Sequence, residues 1–269
     1  MFNANSSIGI LSNGHNELDP LGSYSKGARL AGRFLTAQWR NLLMLNYEVP
    51  SELLESLVPD KTELDLWNGK AIVSVVGFSF LDTRVKGIPV PFHRDFTEVN
   101  LRFYVRRKVD DEWRRGVVFI KEVVPLKAIT FIARWLYNEN YFTRKMTSEF
   151  HLPMNRPNGH VMYRWYESKT ESVGVTANFG GEAKIPEEGS EQEFVTEHYW
   201  GYARQRNGST MEYEVKHPQW RAWEVTRAEL SGSVELAYGK EFVEYLTSEP
   251  ISAFVAEGSE IEVYAGQRL

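Results

Sequence analysis

The sequence predicts an α+β fold dominated by antiparallel strands, a sheet that closes into a barrel or pairs into a sandwich. Three observations carry this expectation. Asn68-Gly69 and Asn207-Gly208 each separate two strand-like runs, and Asn158-Gly159 precedes a third. Asn-Gly is the strongest short hairpin signal, because both residues tolerate the positive φ that a two-residue turn demands. Second, Phe96–Val105 alternates strictly: Val99, Leu101, Phe103 and Val105 point one way, Glu98, Asn100, Arg102 and Tyr104 the other. That is the pattern of a half-buried strand. Third, helical spacing is confined to a few segments, so strands and turns dominate.

Regular patterning begins at Phe34. Residues 1–33, rich in Asn, Ser and Gly, read as a tail or an arm, and 34–269 as one domain without an internal linker. Ser51 reads as the N-cap of a short helix that Pro59 terminates. Strands follow at Leu64–Trp67 and Ala71–Phe80. Gly116–Val124 is apolar on both faces, as a strand buried on both sides would be. A helix near 125–138 has Pro125 in its first turn, with Leu126, Ile129, Ile132, Ala133 and Leu136 at helical spacing. Phe131 and Trp135 widen its apolar arc, so it is expected to be buried on most sides. Val161/Tyr163/Trp165 and Val173/Val175/Ala177/Phe179 alternate as strands. Phe194–Arg206 and Met211–His217 complete the β pattern, and a helix is expected over Lys240–Leu246.

Bulk composition excludes several functions. The 269 residues are 42% hydrophobic and 13% aromatic, enough for a large core, and carry 31 basic against 36 acidic side chains, a net −5. A nucleic-acid surface needs a net positive patch, and the basic clusters here sit beside Asp110, Asp111 and Glu112. An anionic membrane surface is disfavoured for the same reason. The absence of cysteine removes disulfides, thiolate catalysis and Cys-based metal sites. Met1–Ser12 lacks the basic start and apolar run of a secretory signal, and no stretch is long and apolar enough for a membrane helix. A cytoplasmic protein is expected. The 6 histidines have no ligand-like spacing, no phosphate-cradling loop or Gly-x-Ser-x-Gly elbow is present, and no metal or cofactor is expected.

Four candidate features remain. The Glu98, Asn100, Arg102, Tyr104 row places an acid, an amide, a guanidinium and a phenol about 7 Å apart. It reads either as solvated surface or as the lining of a polar cavity. Lys121, near the end of a doubly buried strand, is the best-placed amine for a Schiff-base nucleophile, with Glu98 or Glu122 as proton carrier. Its competing reading is a lysine that snorkels out or pairs with an acid. Arg134, the lone charge on the apolar helix, reads as half of an ion pair or as a cavity-facing anion binder. His217, on a face with Met211, Tyr213 and Val215, reads as a core histidine or a ligand contact.

Several motifs in order resemble the YqjF-like family of uncharacterised bacterial proteins. They are Val76-Gly77-Phe78-x-Phe80-x-Asp82-x-Arg84, Gly87-Ile88-Pro89, Phe96-x-Glu98-Val99-Asn100-x-Arg102-x-Tyr104-Val105, Thr196-Glu197-His198-Tyr199, His217-Pro218-x-Trp220 and Pro250-x-Ser252-x-Phe254 with Gly258-Ser259. More distantly the chain is similar to acetoacetate decarboxylase. That similarity implies a closed, cone-like β barrel around an internal cavity, with one buried helix and the Glu98 row facing inward. The decarboxylase acts through a lysine pair. The resemblance places those lysines at Tyr141 and Phe142, which cannot form an imine; Lys145 lies beyond Thr143 and Arg144.

The function expected from residues and resemblance together is binding of a small anionic or carbonyl-bearing metabolite in the barrel, with Glu98, Asn100, Arg102, Tyr104, Arg134 and His217 as ligand contacts. The alternatives are a decarboxylase-like lyase using a lysine Schiff base, and a structural or subunit-assembly protein. Homo-oligomer formation is left open.

Overall fold

The computed structural model describes residues 32–91, 93–126, 140–152 and 158–269. Within them the strands are β1 (Arg33–Val49), β2 (Glu63–Leu64), β3 (Ala71–Val85), β4 (Ile88–Pro89), β5 (Phe96–Val109), β6 (Glu112–Val124), β7 (Tyr141–Thr143), β8 (Lys145–His151), β9 (Asn158–Tyr166), β10 (Ser172–Gly180), β11 (Trp200–Arg204), β12 (Thr210–Lys216), β13 (Ala222–Gly232), β14 (Ser252–Tyr264) and β15 (Gln267–Arg268). Four short helices accompany them: α1 (Ser51–Glu55), α2 (Glu191–Thr196), α3 (Val234–Tyr238) and α4 (Lys240–Leu246).

The strands join in one sheet in the order β15-β12-β11-β6-β5-β3-β1-β14-β13-β10-β9-β8, and β12 also pairs with β14 through Val215↔Val263 and Lys216↔Glu262. Pairing is antiparallel except where β6 meets β7 and β11. The hairpin from Trp67 to Lys70 turns at Asn68 (φ 50°) and Gly69 (φ 80°). Both φ values are positive, as the Asn-Gly sequence requires.

The central strands are buried on both faces. Val73, Val75, Val99, Leu101 and Phe103 pack on one side against Tyr163, Trp165, Val173 and Val175 of β9–β10 and against Phe242 and Leu246 of α4. On the other side Val76, Phe78, Phe80, Phe96 and Val117 gather with Phe194 and Trp220. Such double burial explains the apolar run of β3, in which every residue from Ala71 to Phe80 is buried.

Several local expectations change. Asn158-Gly159 lies inside β9, paired with Phe179 and Gly180, not in a turn. Ser51 is the first residue of α1, with Pro50 flanking it and no side-chain cap. The expected strand from Phe194 begins at Trp200: Glu191–Thr196 is helical because Ser190 Oγ accepts from the Glu193 amide and caps it. The helix expected near 125–138 and its Arg134 lie outside the described residues beyond Leu126, as does the tail up to Ala31.

Candidate functional site

A cavity of about 160 Å³ lies on the Phe78/Trp220 side of the sheet. Its walls are mostly aromatic and aliphatic, including Trp39, Phe78, Phe80, Phe96, Phe119 and Trp220. The polar lining comes from separate elements: Glu98, Asn100 and Arg102 from β5, Glu122 from β6, Tyr141 from β7, Thr196 and His198 from the end of α2, and His217 just after β12. Alternation along β5 aims its even-numbered residues here and buries Val99, Leu101 and Phe103 in the opposite core.

The polar groups are interlinked. Asn100 Nδ2 donates to Glu98 Oε1 at 3.0 Å, and the Tyr141 hydroxyl donates to Glu98 Oε2 at 3.2 Å. Arg102 donates through one terminal nitrogen to the Val195 carbonyl at 3.0 Å. Its Nε remains buried without a partner among the described residues, as do Asn100 Oδ1, His198 Nδ1, Trp39 Nε1 and Thr83 Oγ1, all on residues that line the cavity. Buried polar atoms are otherwise almost always satisfied, by protein groups or by ordered water, so this concentration sets the cavity apart from the rest of the described core.

His198 has a fixed orientation. Its Nε2 is 3.2 Å from Asp65 Oδ2, and the same oxygen accepts from Arg115 Nε at 2.6 Å. Burial raises the Asp65 carboxyl, but the hydrogen bonds from His198 and Arg115, with the charge of Arg115, bring it below the usual carboxylate value. An ionised carboxylate only accepts, so the imidazole proton is on Nε2 and Nδ1 is an acceptor. Burial pushes the His198 pKa down to about 4; Asp65 opposes the shift and the charges of Arg115 and Arg102 assist it. His217 stacks on Trp220 with centroids 4.2 Å apart and donates from Nδ1 to the Pro218 carbonyl at 3.0 Å. Burial takes its pKa to about 4 as well.

Of the residues singled out from sequence, Glu98, Asn100, Arg102 and His217 therefore meet at one cavity. Tyr104 does not line it. Its hydroxyl is 2.6 Å from Ser74 Oγ, which donates to Asn46 Oδ1, and Asn46 in turn donates to Ser252 Oγ. This buried chain cross-links β5, β3, β1 and β14. Lys121 is also absent from the lining. Its ammonium donates to Glu167 Oε1 at 3.1 Å and to the Ala237 carbonyl at 2.5 Å. The reason is a bulge: Leu101 pairs with Lys121 but Arg102 pairs with Phe119, so Ile120 is an extra residue. The bulge turns Lys121 into the far core and Glu122 into the cavity, so the amine singled out as a Schiff-base candidate pairs with an acid away from the lining. His198 and its partner Asp65 escaped the reading of side-chain types, because neither their spacing nor their periodicity is distinctive.

The fold is that of acetoacetate decarboxylase-like proteins. An acetoacetate decarboxylase-like enzyme from Sphingomonas wittichii RW1 superposes with a TM-score of 0.62 at 14% identity, covering 94% of this chain and 98% of that one. The acetoacetate decarboxylase of Legionella pneumophila matches with a TM-score of 0.59 at 13% identity, over 95% and 97% of the two chains. The enduracididine biosynthesis enzyme MppR, in complex with pyruvate, matches at 0.61 and 12%, over 94% and 95%. Within this fold the chain belongs to the DUF2071 family, an uncharacterized conserved protein, whose pattern spans residues 36–260. It is 28% identical over 219 residues to the uncharacterized protein YqjF of Bacillus subtilis strain 168, covering 79% of this chain and 84% of that protein. No helix among the described residues is long and apolar enough to cross a membrane.

Proposed function

We propose that this protein binds a small carboxylate, or a similarly anionic or carbonyl-bearing metabolite, in the cavity beside β5. The observation that carries the reading is Arg102, a guanidinium whose buried Nε–H has no partner among the described residues, at a largely apolar pocket. A planar cationic fork in a low-dielectric site favours a carboxylate, and a few convergent polar groups among apolar walls are the usual make-up of a ligand site. Glu98, Asn100 and His217 orient the guest. MppR, which shares the fold, has been captured with pyruvate, and this supports the ligand class. The β12–β14 pairing supports reading the sheet as a barrel closed around the cavity, with 34–269 as the domain that carries it.

Native mass spectrometry of the purified protein, followed by calorimetric titration with pyruvate, lactate and their uncharged amides, tests this reading. The acids are expected to bind and the amides to bind at least tenfold more weakly. Arg102→Met should weaken the acids by about 10- to 100-fold, the worth of one charge-assisted hydrogen bond. Acids and amides binding alike, or no effect of Arg102→Met, would overturn it.

The lyase reading stands second. Its support is the fold shared with acetoacetate decarboxylases. Against it, no lysine is among the described residues that line the cavity, and Tyr141 occupies the place the resemblance assigns to a lysine.

A further inference from the structure

We infer that the ligand is a hydroxy acid rather than an oxo acid, its hydroxyl proton donated to His198 Nδ1. The inference rests on the carboxylate reading above and adds to it the second functional group of the guest.

Of the unpartnered atoms on the cavity residues named above, Thr83 Oγ1 can donate or accept, and the others fall into two chemical kinds. Arg102 Nε and Trp39 Nε1 carry hydrogens and only donate. Both call for an acceptor, and a carboxylate is made of acceptors. Asn100 Oδ1 and His198 Nδ1 only accept, the first because its amide nitrogen already serves Glu98, the second because its ring proton faces Asp65. A guest made solely of acceptors, such as a 2-oxo acid, leaves both of these atoms unpaired.

Protonation of His198 does not offer an escape near neutral pH. The ring is buried, its side chain 1% exposed, and it lies within the field of the Arg115 and Arg102 cations. Both oppose an imidazolium. The ring packs edge-on against Phe194 (5.1 Å between centroids) and tilted against Tyr104 (4.6 Å), and with Asp65 at Nε2 these contacts hold Nδ1 in place. A site arranged to accept from a hydroxyl discriminates strongly against an analogue lacking it, because the acceptor is left buried and unpaired. The apolar walls suit a short aliphatic remainder. A cavity of about 160 Å³ suits a small guest.

The test is calorimetric titration at pH 7.5 with matched pairs: both enantiomers of lactate against pyruvate, and 2-hydroxy- against 2-oxo-4-methylpentanoate. In the wild type at least one hydroxy acid should bind tenfold or more tightly than its oxo partner. His198→Phe keeps an aromatic ring against Phe194 and Tyr104 but lacks the acceptor, and should bring that ratio within about twofold of unity. A histidine that only supports the fold would leave the ratio unchanged. Because His198→Phe removes the Asp65 contact and could fail to fold, the wild-type ¹⁵N signal of His198 Nδ1 gives an independent reading. It should move upfield when the hydroxy acid is added and stay in place with the oxo acid. Equal binding of the two partners, tighter binding of the oxo acid, or a ratio that survives His198→Phe overturns this inference and leaves the carboxylate reading intact. Binding of no acid at all overturns both.

Discussion

Glu122 stands opposite Asn100 across the β5–β6 ladder with both side chains at the cavity, whereas the adjoining pair, Leu101 and Lys121, faces the opposite core. One extra residue, Ile120, separates this arrangement from its inverse. Paired residues share a face, and a shift of one residue exchanges the two faces of a strand. The bulge therefore decides that the cavity receives a carboxyl group rather than an amine from β6, and the first two predictions follow from it.

Lys121 is expected to act as a structural cation. Its ammonium and Arg144 Nε divide the two oxygens of Glu167, whose side chain is 3% exposed, and Trp165 Nε1 donates to the same carboxylate. Burial lowers the Lys121 pKa and Glu167 counters this. Lys121→Met should cost roughly 1–3 kcal/mol in urea unfolding, less than a fully broken buried pair because Arg144 remains. Carboxylate affinity should stay within twofold of wild type. A loss of binding with unchanged stability would contradict the assignment.

The same geometry bears on imine chemistry. Sodium borohydride added with pyruvate or acetoacetate should leave the intact mass of the protein unchanged, because an amine must reach the carbonyl to form the Schiff base that hydride reduces. Peptide mapping that found an adduct on Lys121 or Lys145 would restore the lyase reading.

Stability should fall as the pH drops from about 6.5 to 4. His198 and His217 have folded pKa values of about 4 against an ordinary 6.5. Between those values the unfolded chain binds protons that the native state refuses, so stability rises with pH across this window and the contribution is complete above it. Each histidine accounts for at most roughly 3 kcal/mol. His217→Phe, which retains a ring to stack on Trp220, should flatten the slope of unfolding free energy against pH near pH 5 by close to one proton. An unaltered slope would show that His217 titrates normally.

Gly201 gives a steric test of the cavity itself. It lies on β11 at the cavity, and a β-carbon there would overlap the ring of Tyr213, another lining residue. Gly201→Ala must push that ring aside, at a cost of about 1–3 kcal/mol. Carboxylate binding should weaken several-fold as the displaced ring takes up guest volume. Thermal unfolding with and without 10 mM (about that concentration) lactate checks both effects, and a fully stable, fully binding variant would refute the packing described.

Much of this protein was determined locally. Strand character at Phe96–Val105, the Asn68-Gly69 hairpin, the helix at Lys240–Leu246 and the polar row Glu98, Asn100, Arg102 follow from period-two patterning, from helical spacing or from backbone φ, all properties of neighbours in the chain. Alternation separates two faces of a strand but does not say what each face meets. Only tertiary packing showed that the polar face of β5 looks into a cavity and that Tyr104, on the same face, is spent on Ser74. The Asp65–His198 contact joins residues 133 positions apart, a separation at which sequence carries no geometric signal. The Ile120 bulge is subtler still. Gly116–Val124 is apolar on both sides, so no pattern penalised either register, and the pairing with β5 together with the buried acid Glu167 settled which side received the lysine.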